Sequence, residues 1–397
     1  MHAFTTLLIF VAFAAMSVSV SAAPLQRRTC RPHSQIAAAS SSTHASSTSH
    51  VTTATSSAQA TSSKVSNAPS SSKATSTEAA TSTKAATSTK AATSTKAAST
   101  KVASITASSS ATPSAVGAAS SSTLLKELFP VPHSAFWTTS SASPDALPLN
   151  DATFGVTNLL KALPLNYVNA PDGKYSLKSF YPQGSYTFTH DIIGGVSFYG
   201  TGPKSVSLAN AKEATLSYSV YFEDGFDFNL GGKLPGFFGG DDFQTAVSCS
   251  GGRRDDGCFS TRFMWRTDGA GELYTYLPPD FAENKAVCNV PPFSTCNDVY
   301  GASVGRGIFT FKSGTRTLIG QRVRLNDVGQ ANGELELFVE GKSMFTVKGL
   351  VFRDTDGARI QGLQMQSFFG GSESKWASPK DQSAYFSDFS VAITETF

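Results

Sequence analysis

Three aromatic residues lie before Ala14, and no other occurs until Phe129. The remaining 40 of the 43 (29 Phe, 11 Tyr, 3 Trp) lie from Phe129 onward. A segment with no aromatic side chain cannot bury enough apolar surface to offset the entropy of ordering it. One folded region is therefore expected, in the C-terminal part of the chain, within the roughly 200–250 residues that a single β-sandwich reaches.

The segment before it has its own signature. From Ser40 to Thr123, 45 of 84 residues are Ser or Thr, and Thr81-Ser82-Thr83-Lys84-Ala85-Ala86 repeats with Lys90 and Lys96. The alternating Ala and Lys suit a helix, but dense Ser and Thr compete for backbone hydrogen bonds and oppose one. The reading is a disordered, O-glycosylated stalk over 24–123. Residues 1–23 read as a secretory signal, with an apolar core from Leu7 to Ala15 and small residues at Val20-Ser21-Ala22. That core is too short to span a bilayer, and no later apolar run is long enough. An irregular collar is expected over 124–179, with single helical turns at Leu124–Phe129 and Asn158–Leu163. The β domain is expected over 180–397.

Charge divides along the chain in the same way. Residues 1–179 hold 13 Lys+Arg against 5 Asp+Glu, and residues 180–397 hold 19 against 24, so +8 and −5 make up the net +3. The positive excess is spread thinly over the stalk, so no compact basic patch for nucleic acid is expected. Export makes disulfides expected. Of five cysteines, Cys249, Cys258, Cys288 and Cys296 lie in the folded region and Cys30 lies apart. Three pairings are possible, and the short spacings favour Cys249–Cys258 and Cys288–Cys296. Those spacings do not suit zinc.

Beyond Phe180 the pattern turns to strands. Thr215–Phe222, Gly307–Phe311, Arg322–Leu325, Glu334–Val339, Met344–Val347 and Tyr385–Val391 alternate between apolar and polar residues. Turn signals such as Asn332-Gly333 and Glu340-Gly341-Lys342 separate them. No stretch reads as an amphipathic helix of three turns. Many short strands predict an all-β fold of two packed antiparallel sheets, a sandwich or jelly roll.

The densest stretch for chemistry runs from Gly231 to Pro278. If 259–266 is a strand, Ser260, Arg262, Met264 and Arg266 share one face, with Phe259, Thr261, Phe263 and Trp265 on the core side. Tyr274 and Tyr276 share a face in the same way, and Lys233 lies in an apparent Gly-rich turn within reach. Arg or Lys can neutralise a uronate carboxylate so that the C5 proton becomes acidic. Tyr and Lys can move protons where neighbouring cations depress their pKa. β-Elimination of a uronate polymer asks for this set and needs no metal. A pair of tyrosines on strands is more often half-buried sheet, and a lone strand Arg more often pairs with a carboxylate.

At these residues the chain resembles polysaccharide lyase family 14, the alginate and glucuronan lyases of β-jelly-roll fold. The resemblance runs from about Tyr181 to Val391. It rests on Lys233-Leu234-Pro235-Gly236, Ser260-x-Arg262 followed by Met264-Trp265-Arg266, Tyr274-x-Tyr276, and Phe369-Gly370-Gly371 with Trp376. It implies an active site lined by Lys233, Ser260, Arg262, Tyr274 and Tyr276. Lys233 and Tyr276 would transfer protons, in roles left open between base and acid. Arg262 would hold the carboxylate, and Ser260 and Tyr274 would position the sugar. The segment with Cys249, Arg253-Arg254 and Cys258 matches the family least.

Other candidates are His190 as a base and Gln364, Gln366 and Arg266 as sugar-binding groups. Asp241-Asp242 and Asp255-Asp256 are candidates for calcium, although acidic loop pairs are usually just solvated. No cofactor or metal is expected. The expected enzyme is a secreted, monomeric lyase with an anionic polysaccharide as partner and with retention at a cell wall as one expected location. The other readings are a two-carboxylate hydrolase and a non-catalytic carbohydrate-binding protein on the same fold.

Overall fold

The computed structural model describes residues 115–397. The signal-peptide and stalk readings, and Cys30, lie outside the described residues. In chain order the first strands are β1 (Ala135–Thr138), β2 (Val156–Thr157), β3 (Asn166–Asn169), β4 (Tyr175–Tyr181) and β5 (Val196–Gly200). Then come β6 (Ala211–Phe222), β7 (Gly231–Gly240), β8 (Cys258–Arg266), β9 (Ala270–Tyr276) and β10 (Ala302–Thr310). The last are β11 (Arg316–Arg324), β12 (Gly333–Val339), β13 (Lys342–Leu350), β14 (Arg359–Phe369) and β15 (Gln382–Thr396).

They form two antiparallel sheets. Sheet I has eight strands in the order β13-β12-β11-β6-β15-β4-β3, with β1 paired to β15. Sheet II has seven, in the order β10-β9-β8-β7-β14-β5-β2. Every strand expected from alternation overlaps one of these, with Phe311 and Leu325 falling one residue past the ends of β10 and β11. The core fills the space between the sheets, with Leu216, Tyr218 and Val220 from β6 facing Phe259, Phe263 and Trp265 from β8. Trp265 is fully buried among Tyr181, Phe222 and Phe369, with ring centroids 5.9, 5.5 and 5.2 Å away. Its indole N–H donates to the Phe228 carbonyl at 3.1 Å, so the one polar atom of this ring is satisfied. Thr261 spends its core-side position on a link between sheets: its hydroxyl donates to Gln321 Oε1 at 2.5 Å, and the Gln321 amide donates back to the Thr261 carbonyl at 3.0 Å.

Three expectations are corrected. The segment 124–179 is not an irregular collar: β1, β3 and most of β4 pair into sheet I and β2 into sheet II, while Trp137 and Phe154 enter the core. Four-residue and two-residue strands are too short to show alternation. Asn158–Leu163 holds no helix, only one hydrogen-bonded turn in which the Leu163 N–H donates to the Leu160 carbonyl at 2.8 Å. A short helix α2 (Asp151–Phe154) stands earlier, capped by the Asn150 side chain and by Gly155 at φ 59°. At the other end, α1 (Ala115–Leu128) replaces the single turn at Leu124–Phe129 and enters the segment read as stalk. Ala and Leu favour a helix, and Leu128 anchors it by complete burial.

Both favoured disulfides, Cys249–Cys258 and Cys288–Cys296, are formed. No helix among the described residues is long and apolar enough to cross a membrane.

Candidate active site

The candidate residues gather on the face of sheet II turned away from the core, on β7, β8, β9 and β14. Lys233 is on a strand, not in a turn. Gly231-Gly232-Lys233-Leu234-Pro235-Gly236 reads as turn, yet β7 is a central strand between β8 and β14. The register shifts between Lys233 and Gly236, so Pro235 sits in a bulge where no ladder N–H is needed. Its carbonyl accepts from the Tyr218 hydroxyl at 2.9 Å, tying the bulge to sheet I. Glycine is required here by close approach: a Cβ on Gly236 would lie 2.0 Å from the Thr261 carbonyl oxygen.

The bulge turns Lys233 toward β8 and β9. Its Nζ lies 2.9 Å from Met264 Sδ and 3.6 Å from the centroid of the Tyr274 ring. Burial pushes the Lys233 amine well below the usual lysine range, and the charges of Arg266 and Arg262 push it further, against the opposing pull of Glu272. Arg262 is 2 % exposed and its Nη1 donates to Gln366 Oε1 at 3.2 Å. Its Nε has no hydrogen-bond partner, and among the described residues no Asp or Glu forms an ion pair with it. Burial lowers its pKa as well. A buried guanidinium without a carboxylate is costly and is suited to receiving one.

Tyr274 and Tyr276 stand next to each other, ring centroids 5.9 Å apart, in register with Arg262 and Ser260. Burial raises the pKa of Tyr274, with Tyr276 adding to it. The Tyr276 oxygen accepts from the Gly252 N–H at 3.1 Å, which leaves its own proton available to donate. Ser260 differs from expectation. It is fully buried, and its hydroxyl donates to the Cys249 carbonyl at 2.8 Å. It therefore holds the loop closed by Cys249–Cys258, and that loop also reaches Tyr276 through Gly252.

Gln364 and Gln366 share a face of β14, as read from the sequence. Gln364 Nε2 donates to Gln366 Oε1 at 2.9 Å, and Gln366 Nε2 donates to Ser197 Oγ at 3.2 Å. This amide ladder carries the site from Arg262 across to β5, where Tyr199 lies 3.4 Å from Gln364 Nε2. Arg266 donates to Glu272 Oε1 and lies 5.7 Å from the Tyr274 ring centroid and 6.0 Å from that of Trp376. His190 is not brought in. Its exposed ring stacks on Tyr186 at 4.0 Å, and no hydrogen bond joins it to the other candidates.

The acidic pairs are spent on hydrogen bonds within the protein. Asp242 caps α3 (Phe243–Ala246) through Thr245, Asp241 accepts from Thr355, Asp255 accepts from the Gly257 N–H, and Asp256 accepts from the Asp280 N–H. Among the described residues no group of three or more His, Cys, Asp or Glu could hold a metal ion. Two surface hollows, of about 710 and 490 Å³, are lined by other residues: Asp151–Lys161 in one, Gly225–Leu230 with Thr267 and Asp268 in the other.

Sequence reasoning missed Tyr199, Ser197, Glu272 and Arg306. Glu272 was visible two positions before Tyr274, and strand parity alone puts it on the same face.

Comparison with known proteins fits this arrangement. The family model for polysaccharide lyase 14 matches residues 169–389. A solved PL-14 alginate lyase from Aplysia kurodai is similar at 34 % identity and TM-score 0.54, over 66 % of this chain and 96 % of that one. An alginate lyase from Chlorella virus is similar at 25 % identity and TM-score 0.49, over 61 % and 93 %. No curated protein matches the sequence.

Proposed function

Because the chain belongs to polysaccharide lyase family 14 and is thus a polysaccharide lyase, we propose that it cleaves a β-1,4-linked uronate polymer, alginate or glucuronan, by β-elimination outside the cell. The observation that carries this is Arg262, buried with no acidic partner between a lysine of depressed pKa and two tyrosines.

Arg262 takes the carboxylate of the sugar at the cleavage point, with Gln366 fixing its orientation. Paired in this way, the carboxylate can accept the negative charge that develops when the C5 proton leaves. Lys233, whose burial among cations favours its neutral form, is the base and becomes an ammonium. The electrons of the C5–H bond form the C4–C5 double bond while the bond from C4 to the glycosidic oxygen breaks. Tyr276 donates its proton to that oxygen and then holds the tyrosinate until it is reprotonated from solvent. Tyr274, kept protonated by burial, gives the sugar a ring face and a hydroxyl donor. The two disulfides accord with an exported chain. The similarity to the Aplysia alginate lyase makes alginate the first polymer to test.

The purified chain is to be mixed with polymannuronate, polyguluronate, glucuronan and pectate while the absorbance of the unsaturated sugar end is followed. A rise on polymannuronate, polyguluronate or glucuronan is expected, and it names the polymer. A well-folded protein that binds these polymers but yields no unsaturated product on any of them would sink the reading in favour of a binding protein.

A further inference from the structure

The contacts that begin at Lys233 continue past Tyr274 to the edge of sheet II. Glu272, fully buried, occupies the same face directly opposite Met264 in the β8–β9 register. Its Oε1 accepts from Arg266 Nε and Nη2 at 2.7 Å each, and its Oε2 accepts from Arg306 Nε at 2.8 Å and from the Ser303 hydroxyl. One carboxylate thus holds two arginines, which leaves one positive charge uncompensated in the cluster. The Arg306 side chain is 31 % exposed, against 13 % for Arg266.

Arg306 leads to an aromatic ring. Its guanidinium carbon lies 5.0 Å from the centroid of Phe293, and its backbone N–H donates to the Phe293 carbonyl at 2.7 Å. Phe293 is 50 % exposed, a large apolar ring open to solvent. The segment that carries it is rigidly built. Cys288–Cys296 closes the loop, Thr295 and Ser303 exchange two backbone hydrogen bonds of 2.9 Å, and Ser294 Oγ accepts from the Gly305 N–H at 2.9 Å. The β9–β10 register shifts between Val304 and Phe309, and Arg306 stands within that irregularity.

An exposed ring beside a half-exposed guanidinium, fixed by a buried carboxylate, suits a uronic acid. The apolar face of the sugar packs on the ring and its carboxylate pairs with the arginine. We infer that Phe293 and Arg306 form a distal uronate-binding subsite for the polymer held at Arg262. This rests on the lyase reading and extends it. β10 lies two strand spacings from β8, which carries Arg262, roughly 10 Å at the usual separation. A chain must therefore run beyond the sugar held at Arg262 to reach it.

The test compares wild type with Phe293→Ala and Arg306→Gln on the polymer that wild type cleaves best and on its oligosaccharides graded by length. For both variants KM on the polymer should rise about fivefold or more, where tenfold corresponds to about 1.4 kcal/mol, while in Phe293→Ala kcat changes by less than about twofold. The ratio of kcat/KM on polymer to that on the shortest cleaved oligosaccharide should fall by the same factor. Phe293→Ala leaves the Glu272 cluster intact, so it decides the matter if Arg306→Gln fails to fold. A polymer KM equal to wild type in Phe293→Ala overturns the subsite, as does an equal loss on every chain length. Wild type that cleaves no uronate polymer overturns the lyase reading and takes the subsite with it.

Discussion

Tyr276→Phe should lower kcat by about 10²- to 10³-fold, within the usual range for losing a positioned acid, and should leave polysaccharide affinity nearly unchanged. The substitution keeps the ring and its edge contact with Tyr274. It removes only the O–H proposed to protonate the leaving oxygen. Because Gly252 donates to the Tyr276 oxygen, the change also leaves one backbone N–H without its acceptor, which costs about 1–3 kcal/mol of stability. Steady-state rates on the cleaved polymer, calorimetric affinity for the same polymer and a thermal melt separate these effects. A variant that keeps its rate would remove Tyr276 from the chemistry and return the acid role to Lys233.

Lys233→Met should be the other severe loss, about 10³-fold or more in kcat for a missing base, with an opposite effect on stability. In the folded protein the Lys233 pKa lies below its unfolded value because of burial and the neighbouring arginines. Between those two pKa values the unfolded chain binds a proton that the folded chain does not. Wild-type stability therefore rises with pH across that window and is lost as pH falls toward the folded pKa. Methionine fills the same space and carries no charge, so the variant lacks this dependence and should outlast wild type on the acid side. Denaturant midpoints for both proteins across a pH series test this, and parallel curves would show that Lys233 carries no such burden. The wild-type rate should also fall as acid protonates Lys233, since an ammonium cannot accept the C5 proton.

Much of the site was legible because strand parity is a strict rule. Ser260, Arg262, Met264 and Arg266 do share a face, and Phe259, Phe263 and Trp265 do fill the core. Parity says which side a residue leaves from and nothing about what meets it there. Ser260 left on the expected side and met the Cys249 carbonyl. Lys233 was misplaced because Gly and Pro carry turn signals even inside a strand. Only the register of β7 against β8 shows that Pro235 sits in a bulge. The strands before Tyr175 were hidden by their length. They borrow their geometry from β15, β4 and β5 instead of carrying a pattern of their own. Phe293 and Arg306 meet only because the chain folds back through a disulfide loop, and no local pattern marks that.

The two sheets differ in how far along the chain their neighbours lie. In sheet II, β7, β8, β9 and β10 are consecutive, so the strands that carry Lys233, Arg262 and Tyr276 can pair as simple local excursions. In sheet I the last strand, β15, sits between β6 and β4, and Ser219 pairs with Ser387 from 168 positions away. Closing that pairing costs chain entropy before any contact repays it, so contact order makes sheet I the slow part of assembly. The strands that carry the candidate site are then paired early and wait, with their charged face set, for the barrier to be crossed elsewhere. Truncations of apolar side chains in β9 should therefore mainly slow refolding, because its contacts are already made at the barrier, whereas the same changes in β15 should divide their effect between refolding and unfolding. Chevron plots in which β9 truncations only sped unfolding would show sheet II pairing after the barrier.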